Sequence, residues 1–212
     1  MKNKRTMLAA LLGLCVVLPQ QAQNKSIYHK GWIDFNKNGV KDVYEDPTQP
    51  VDERVADLLR QMNVNEKTCQ LATLYGYGRV LKDSLPTERW KTEVWKDGIA
   101  NIDEMLNGVG GKSRRVEQML YPFSSHAEAI NRVQRWFVEE TRLGIPVDFS
   151  NEGIHGLNHT KATPLPAPIA IGSTWNRELV HQAGTIAGQE ARALGYTNVY
   201  APILDVVRDP RW

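Results

Sequence analysis

The sequence predicts an α/β domain built on a parallel sheet. Three observations carry that reading. Segments with apolar residues at helical spacing alternate with short apolar runs of strand type. Polar clusters at 151–156 and 205–212 directly follow two of those runs, and the carboxyl ends of parallel strands are where such sheets carry their sites. The composition agrees: 212 residues, 42% hydrophobic and 24% charged, fit a globular chain and exclude collagen-like, disordered and multi-span membrane classes. A net charge of +2 lacks the basic excess of a nucleic-acid binder.

In chain order, Lys2, Lys4 and Arg5 form a positive start, Met7 to Leu18 an apolar run, and Pro19 followed by Gln20-Gln21-Ala22-Gln23 a break. This is the layout of a secretory signal peptide, assigned to 1–23. The apolar run is shorter than the ~20 residues that span a bilayer. Leu14 before Cys15, in place of a small residue, argues against a lipid-anchored alternative. Cleavage near residue 23 removes three basic residues and no acidic ones, leaving 23 basic and 24 acidic residues, a net of −1. Cys69 is then the single cysteine, so no internal disulfide forms within this segment. The expectation is an exported protein, periplasmic or extracellular, without a membrane span once processed and without a nucleic-acid partner.

Residues 24–50 form an N-terminal extension. Within it, Asp34-Phe-Asn-Lys-Asn-Gly-Val-Lys-Asp-Val-Tyr-Glu45 fits the Ca2+-loop template D-x-[DN]-x-[DN]-G-x5-E at every specified position. In that reading Asp34, Asn36 and Asn38 supply side-chain oxygens and Gly39 allows the sharp turn. Val40 gives its backbone carbonyl, Asp42 binds directly or through water, and Glu45 binds bidentately. Pro47 and Pro50 prevent a helix from leaving the loop at once, so this is an EF-hand-like loop and not a helix-loop-helix pair. The alternative is a plain Asn/Gly-rich turn. If Ca2+ binds, it is a structural clip. No cofactor is expected for catalysis.

Val51 to Met62 places Val55, Leu58, Leu59 and Met62 at helical spacing, with acids early and Arg60 late. Asn65 caps a second helix starting at Glu66-Lys67-Thr68, with Leu71 and Leu74 on its apolar side, until Tyr75-Gly76-Tyr77-Gly78 breaks it. Residues 79–97 show no assignable pattern. Gly98 to Ile102 reads as a buried strand, and Gly108 to Lys112 as a glycine-rich connection without the Lys-Ser/Thr pair of a phosphate loop. Ser125-His126-Ala127-Glu128 matches a capping box. It opens a helix with Ala127, Ile130, Val133, Phe137 and Thr141 on one side, stopped near Gly144. Ile145 to Ser150 is the next strand. Asn176 caps a helix that buries Leu179, Val180, Ala183, Ile186, Ala187, Ala191 and Leu194 and ends at Gly195. Thr197 to Val207 is the last strand. Three parallel strands leave an unpaired edge, and a closed (β/α)8 barrel takes about 250 residues. The chain is therefore expected to be the front part of a longer protein.

Four stretches, in order, carry a family resemblance. They are Arg142-Leu-Gly-Ile-Pro-Val-Asp-Phe-Ser-Asn-Glu-Gly-Ile-His-Gly156, Thr163-Pro-Leu-Pro-Ala-Pro-Ile-Ala-Ile-Gly-Ser-Thr-Trp-Asn176, Glu190-Ala-Arg-Ala-Leu-Gly195 and Ala201-Pro-Ile-Leu-Asp-Val-Val-Arg-Asp-Pro-Arg-Trp212. Together they resemble glycoside hydrolase family 3, over roughly 51–212. The resemblance implies a partial (β/α)8 TIM-type barrel, about three of eight strands, usually followed by a second α/β domain. It implies retaining hydrolysis of β-linked sugars, here non-reducing terminal β-D-glucosyl residues, with β-xylosides as the alternative. Such enzymes use a carboxylate nucleophile and a carboxylic acid/base about 5–5.5 Å apart.

In the family the nucleophile is an Asp in a Ser-Asp-Trp-like stretch late in the barrel. The acid/base is a Glu that often comes from the second domain, and a mid-barrel Lys-His pair holds sugar hydroxyls. None of these three lies in the 212 residues, so no catalytic residue is assigned and the chain alone is expected to be inactive. What the resemblance places here is part of the sugar pocket. Glu152 stands where a carboxylate accepts hydrogen bonds from glycone hydroxyls. Many relatives have Asp there, and Glu reaches one methylene further. Arg211 matches an arginine whose planar guanidinium donates to sugar hydroxyls. Asp209 orients Arg211 or caps the loop, and Trp212 is the candidate platform. The implied partners are a β-linked oligosaccharide or glycoside and the rest of the same chain. His155 reads as structural and Asp205 as a buried loop anchor. Asn158-His159-Thr160 is a glycosylation sequon by pattern alone. Two rivals stay open: an N-acetylglucosaminidase of the same family, whose loop reads Gln-Glu-Gly-Gly in place of Glu-Gly-Ile-His-Gly, and a non-enzymatic exported Ca2+- or carbohydrate-binding module.

Overall fold

Four short strands, all parallel and in chain order, make the central sheet of the computed structural model. The structure describes residues 26–76, 83, 85–92, 94–107, 123–206 and 208–209. Segment 1–23, expected to be a signal peptide, and the glycine-rich stretch 108–112 lie outside them. An antiparallel hairpin, β1 (Tyr28–His29) and β2 (Trp32–Ile33), precedes the sheet. Helix α1 (Val51–Gln61) and helix α2 (Val64–Cys69) follow.

The sheet strands are β3 (Thr73–Tyr75), β4 (Asn101–Asp103), β5 (Asp148–Glu152) and β6 (Asn198–Tyr200). Parallel neighbours need crossovers. Helix α3 (Phe123–Glu140) lies between β4 and β5. The short α4 (Pro168–Gly172) and the long α5 (Arg177–Ala193) lie between β5 and β6. Two 3-10 turns, Glu88–Lys91 and Val94–Asp97, occupy the β3–β4 connection.

The register fixes what each face carries. Leu74 pairs with Ile102, and Ile102 with Phe149. Side chains alternate along a strand, so these three share one face, with Val199 beside them. They join Val133 and Phe137 of α3, Ala191 and Leu194 of α5 and its C-cap, and Trp90 and Met105 in one apolar cluster. Ile102, Met105, Val133 and Phe137 are fully buried.

The α/β class and the parallel sheet match the expectation, and several elements correct it. Among the described residues the sheet has four strands, not three. Thr73–Tyr75, read as the end of a helix because Leu71 and Leu74 stand three apart, is β3. Helix α2 is capped by Asn63 rather than Asn65: the Asn63 side chain accepts from the Glu66 N–H at 2.9 Å, and the Glu66 carboxylate accepts from the Asn63 N–H at 2.9 Å. Ser125 lies inside α3, which is already helical at Phe123. Asn176 caps α5 as expected, accepting from Leu179 N–H at 3.1 Å. Of the α5 side chains expected inside, Leu179, Val180 and Ile186 are exposed, whereas Ala187, Ala191 and Leu194 are buried. The last strand stops at Tyr200.

The N-terminal extension is tied to the sheet domain. Lys37 Nζ donates to the carbonyls of Val138 (2.9 Å) and Thr141 (2.5 Å), at the carboxyl end of α3. A cation there satisfies orphan carbonyls and meets the negative end of the helix dipole. Arg142, just beyond, donates from Nε to Glu66 Oε1 (2.8 Å) and from Nη2 to the Gln61 carbonyl (2.8 Å). The Glu66 carboxylate, almost wholly buried, is thus shared between the α2 cap and the start of the segment that leads into β5.

Candidate functional site

The sheet face opposite the apolar cluster is polar. Asn101 pairs with Asp148, Asp103 with Ser150, and Glu152 with Tyr200, so these side chains share one face. They are linked: the Ser150 hydroxyl lies 2.8 Å from Asn101 Oδ1 and 2.9 Å from Asp103 Oδ1, and Asn101 Nδ2 donates to Asp148 Oδ2 at 2.8 Å. Asn101, Asp103 and Ser150 are buried. Toward the carboxyl ends of the strands this polar face ends in Asp103 and Glu152, and Glu104 follows directly after β4.

Glu152 is half-buried at the end of β5. Its N–H donates to Asn151 Oδ1 at 2.8 Å, and its carbonyl accepts from Asn158 N–H at 2.8 Å. Burial, then the charge of Asp103, pushes its carboxyl above the usual carboxylate range. Glu104 follows β4 with φ +53° and is mostly buried. Its Oε1 accepts a short hydrogen bond from Asn158 Nδ2. Burial, with Asp103 and Glu152 nearby, raises its proton affinity against the opposing pull of Asn158.

The loop after β5 explains its two glycines. A Cβ on Gly153 would meet Val199 Cγ1 at 2.3 Å. One on Gly156, at φ +83°, would meet the Thr163 carbonyl oxygen at 2.4 Å. The loop packs so closely against β6 and the 163–165 segment that neither position accepts a side chain.

In the 34–45 loop, Lys37 (φ 60°) and Gly39 (φ 80°) make the turn. The buried Asp34 carboxylate accepts from the N–H groups of Asn38 (3.1 Å) and Gly39 (2.9 Å). Buried Glu45 accepts from those of Asn36 (3.3 Å) and Asp42 (3.1 Å). Asn36 Nδ2 and Asn38 Nδ2 both donate to Asp42 Oδ2, at 2.5 and 2.9 Å. Val40 lies in the turn with its N–H on Asn38 Oδ1 at 2.7 Å. Among the described residues no group of three or more His, Cys, Asp or Glu is arranged to hold a metal ion. As built, the loop satisfies its own oxygens with its own N–H groups.

With this geometry in place, the sequence relationships decide the family. The model of the glycosyl hydrolase family 3 N terminal domain matches residues 52–212. The chain belongs to glycosyl hydrolase family 3. A putative β-xylosidase from Formosa agariphila is 28% identical over 169 residues, covering 80% of this chain and 21% of its own length. A periplasmic β-glucosidase/β-xylosidase from Dickeya chrysanthemi is 28% identical over 192 residues, covering 84% of this chain and 27% of its own. A solved β-glucosidase from Listeria innocua, a mutant in complex with laminaribiose, superposes with a TM-score of 0.56 at 25% identity, over 77% of this chain and 20% of that one. The chain thus spans about a fifth to a quarter of the length of these family 3 relatives.

Of the sugar-pocket residues the family resemblance implied, Glu152 stands at the carboxyl end of a parallel strand on the polar face. Asp209 is half-buried and engaged. Arg211 and Trp212 lie outside the described residues. Asp205 is exposed rather than a buried anchor. His155 is exposed too, and its backbone carbonyl, accepting from Leu165 N–H at 2.8 Å, ties the loop. Asn158, noted only as a sequon, has its amide committed to Glu104. Sequence reasoning missed Asp103 and Glu104 by ending the strand at Ile102. The alternation Asn101-x-Asp103 was the available signal, since one face of a strand repeats every second residue.

Behind the loop, His126 and His159 meet edge to face with ring centroids 5.1 Å apart. His126 Nε2 lies 2.9 Å from the Leu194 carbonyl, and His159 Nδ1 accepts from Lys161 N–H at 3.1 Å. Burial lowers the proton affinity of both. His159 falls to about 4, with His126 the next cause. A histidine depressed in the fold binds its proton more readily unfolded, so stability is complete above about pH 6.5 and is lost as pH falls toward 4. At pH 5 the His159 contribution alone is a loss of about 2 kcal/mol relative to pH 7. Urea unfolding at the two pH values checks this, and His159→Gln should flatten the difference.

Proposed function

We propose that this chain is the N-terminal barrel portion of an exported, retaining glycoside hydrolase acting on non-reducing terminal β-D-glucosyl residues. The observation that carries the reading is Glu152 at the end of β5, on the polar face of a parallel sheet, in a chain of family 3. Its carboxylate is proposed to accept hydrogen bonds from glycone hydroxyls, with Arg211 and Asp209 completing the polar contact and Trp212 offering a ring face. The nucleophile and the acid/base are proposed to come from segments outside these 212 residues. The names of the relatives support β-glucosides and β-xylosides as substrates, and the laminaribiose complex of the Listeria protein supports a β-glucan-type sugar. The periplasmic relative supports export, with 1–23 as the signal peptide, 24–50 as the extension and 51–212 as barrel. Among the described residues no helix is long and apolar enough to cross a membrane.

The test is turnover of chromogenic β-glucoside and β-xyloside by the protein expressed with everything its gene encodes. Hydrolysis with retained anomeric configuration is the expected result, with the glucoside preferred. No turnover of either sugar would overturn the reading, and a xyloside preference would favour the β-xylosidase alternative. The 212-residue chain alone is expected to turn over neither.

The 34–45 loop is proposed as a structural Ca2+ clip formed by Asp34, Asn36, Asn38, Val40, Asp42 and Glu45. Turning the Asn36 and Asn38 amides over exchanges their nitrogen for oxygen beside Asp42, which suits a hard cation. Titration calorimetry with Ca2+ should show binding that Glu45→Gln weakens. Absence of heat leaves the self-satisfied turn.

A further inference from the structure

We infer that Glu104 is the positioning residue for Glu152, holding the sugar-contact loop in place through Asn158; this rests on the proposed role of Glu152. A chain of hydrogen bonds connects the two. Glu104 Oε1 accepts from Asn158 Nδ2. The Asn158 N–H donates to the Glu152 carbonyl at 2.8 Å. The Asn158 carbonyl accepts from Asn151 Nδ2 at 3.2 Å, and Asn151 Oδ1 accepts from the Glu152 N–H at 2.8 Å. Both backbone polar groups of Glu152 are therefore gripped by the asparagine pair, and Glu104 fixes the side chain of one of them.

The turn that carries Glu104 is fastened to the same strand and loop. Glu104 N–H donates to the Ser150 carbonyl at 2.9 Å, and Thr160 N–H donates to the Asn107 carbonyl at 3.0 Å. The turn and the Glu152 loop are thus joined by two backbone hydrogen bonds as well as through Asn158.

Three local costs mark this position. Glu104 and Leu106 both have positive φ, at +53° and +57°, where a residue with a Cβ is strained. Glu104 is buried, at 8% exposure, and its neighbours Asp103 and Glu152 are acids of the same sign. Gly or Asn in place of Glu104 would relieve the backbone strain at that residue and the crowding of like charges. Strained backbone and crowded carboxylates cluster at functional sites. Here the arrangement places a buried acceptor against the Asn158 side chain.

The experiment compares Glu104→Ala, Glu104→Gln and Asn158→Ala in the protein expressed with everything its gene encodes, using a chromogenic β-glucoside over a pH range. Glu104→Ala should raise KM about tenfold with a smaller change in kcat, the loss of one charge-assisted hydrogen bond. Asn158→Ala should do the same, and the double variant should be no worse than either single one, since both cut one chain. Glu104→Gln keeps the acceptor and removes a negative charge. It should restore most of KM at neutral pH. An unchanged KM in Glu104→Ala overturns the inference. So do equal impairment of both Glu104 variants, or additive losses in the double variant. A wild-type protein without turnover overturns the functional reading instead and the inference with it. Thermal unfolding of each variant separates these from loss of fold, and the near-isosteric Glu104→Gln carries the test if the alanine variant does not fold.

Discussion

Gly156→Ala should lower stability by about 3 kcal/mol, the sum of two separable strains. At φ +83° the new Cβ faces its own backbone, a cost of about 1–2 kcal/mol for an L-residue in the left-handed region. The same Cβ lies 2.4 Å from the Thr163 carbonyl oxygen and 3.2 Å from Leu165 Cγ. The nearer atom is backbone, so the strand of loop at 163–165 must shift, a further cost of about 1–3 kcal/mol by analogy with overpacked cores. Gly39 provides the control. Its φ is +80°, yet a Cβ there meets nothing within 4 Å. Gly39→Ala should therefore show the backbone cost alone. Urea midpoints for the two variants test the difference. Equal losses would mean that the 163–165 segment yields freely. Because Gly156 closes the loop that starts at Glu152, its replacement should also impair sugar binding in any variant that still folds.

How much of this was legible in the sequence depends on the length of the signal. Helix α5 was read to within a residue at both ends, because Asn176 and Gly195 punctuate a long periodic run. Helix α1 was read equally well. Strand β3 was missed, because three residues of strand give no period to detect, and Leu71 and Leu74 imitate helical spacing. The capping residue of α2 was misplaced by two positions: Asn63 and Asn65 both precede the helical run, and only the return bond from Glu66 to Asn63 distinguishes them. The exposure of Leu179, Val180 and Ile186 was not legible, since periodicity tells that a face is apolar and not what covers it.

The site was legible where a motif is dense and opaque where it depends on register. Glu-Gly-Ile-His-Gly announced the Glu152 loop, and the structure supplies the reason for its glycines. Asp103 and Glu104 had no motif. Their importance arises only when Asp103 is placed opposite Ser150 and the side chain of Asn158 is brought onto Glu104, 54 residues away in sequence. A buried network of this kind belongs to strand order rather than to any local pattern.

Glu152→Ala should reduce kcat/KM for a β-glucoside about 10²- to 10⁴-fold in the protein expressed with everything its gene encodes, if two hydroxyl hydrogen bonds to the carboxylate are lost. Each charge-assisted bond contributes about 1.5–3 kcal/mol, and a hydroxyl left unpaired in a closed pocket loses more than one returned to water. The substrate dependence makes the prediction sharper. A β-xyloside lacks the exocyclic hydroxymethyl of a β-glucoside, so a carboxylate reaching toward O4 and O6 has one partner fewer on xylose. The loss on Glu152→Ala should be smaller for the xyloside, and the glucoside-to-xyloside preference should fall. Glu152→Asp, which keeps the charge and withdraws it by one methylene, should fall between wild type and alanine, with its deficit concentrated on the glucoside. Equal losses on both sugars would restrict Glu152 to hydroxyls that both share. No loss on either would remove it from the pocket and leave Arg211, Asp209 and Trp212 as the proposed contacts of this segment.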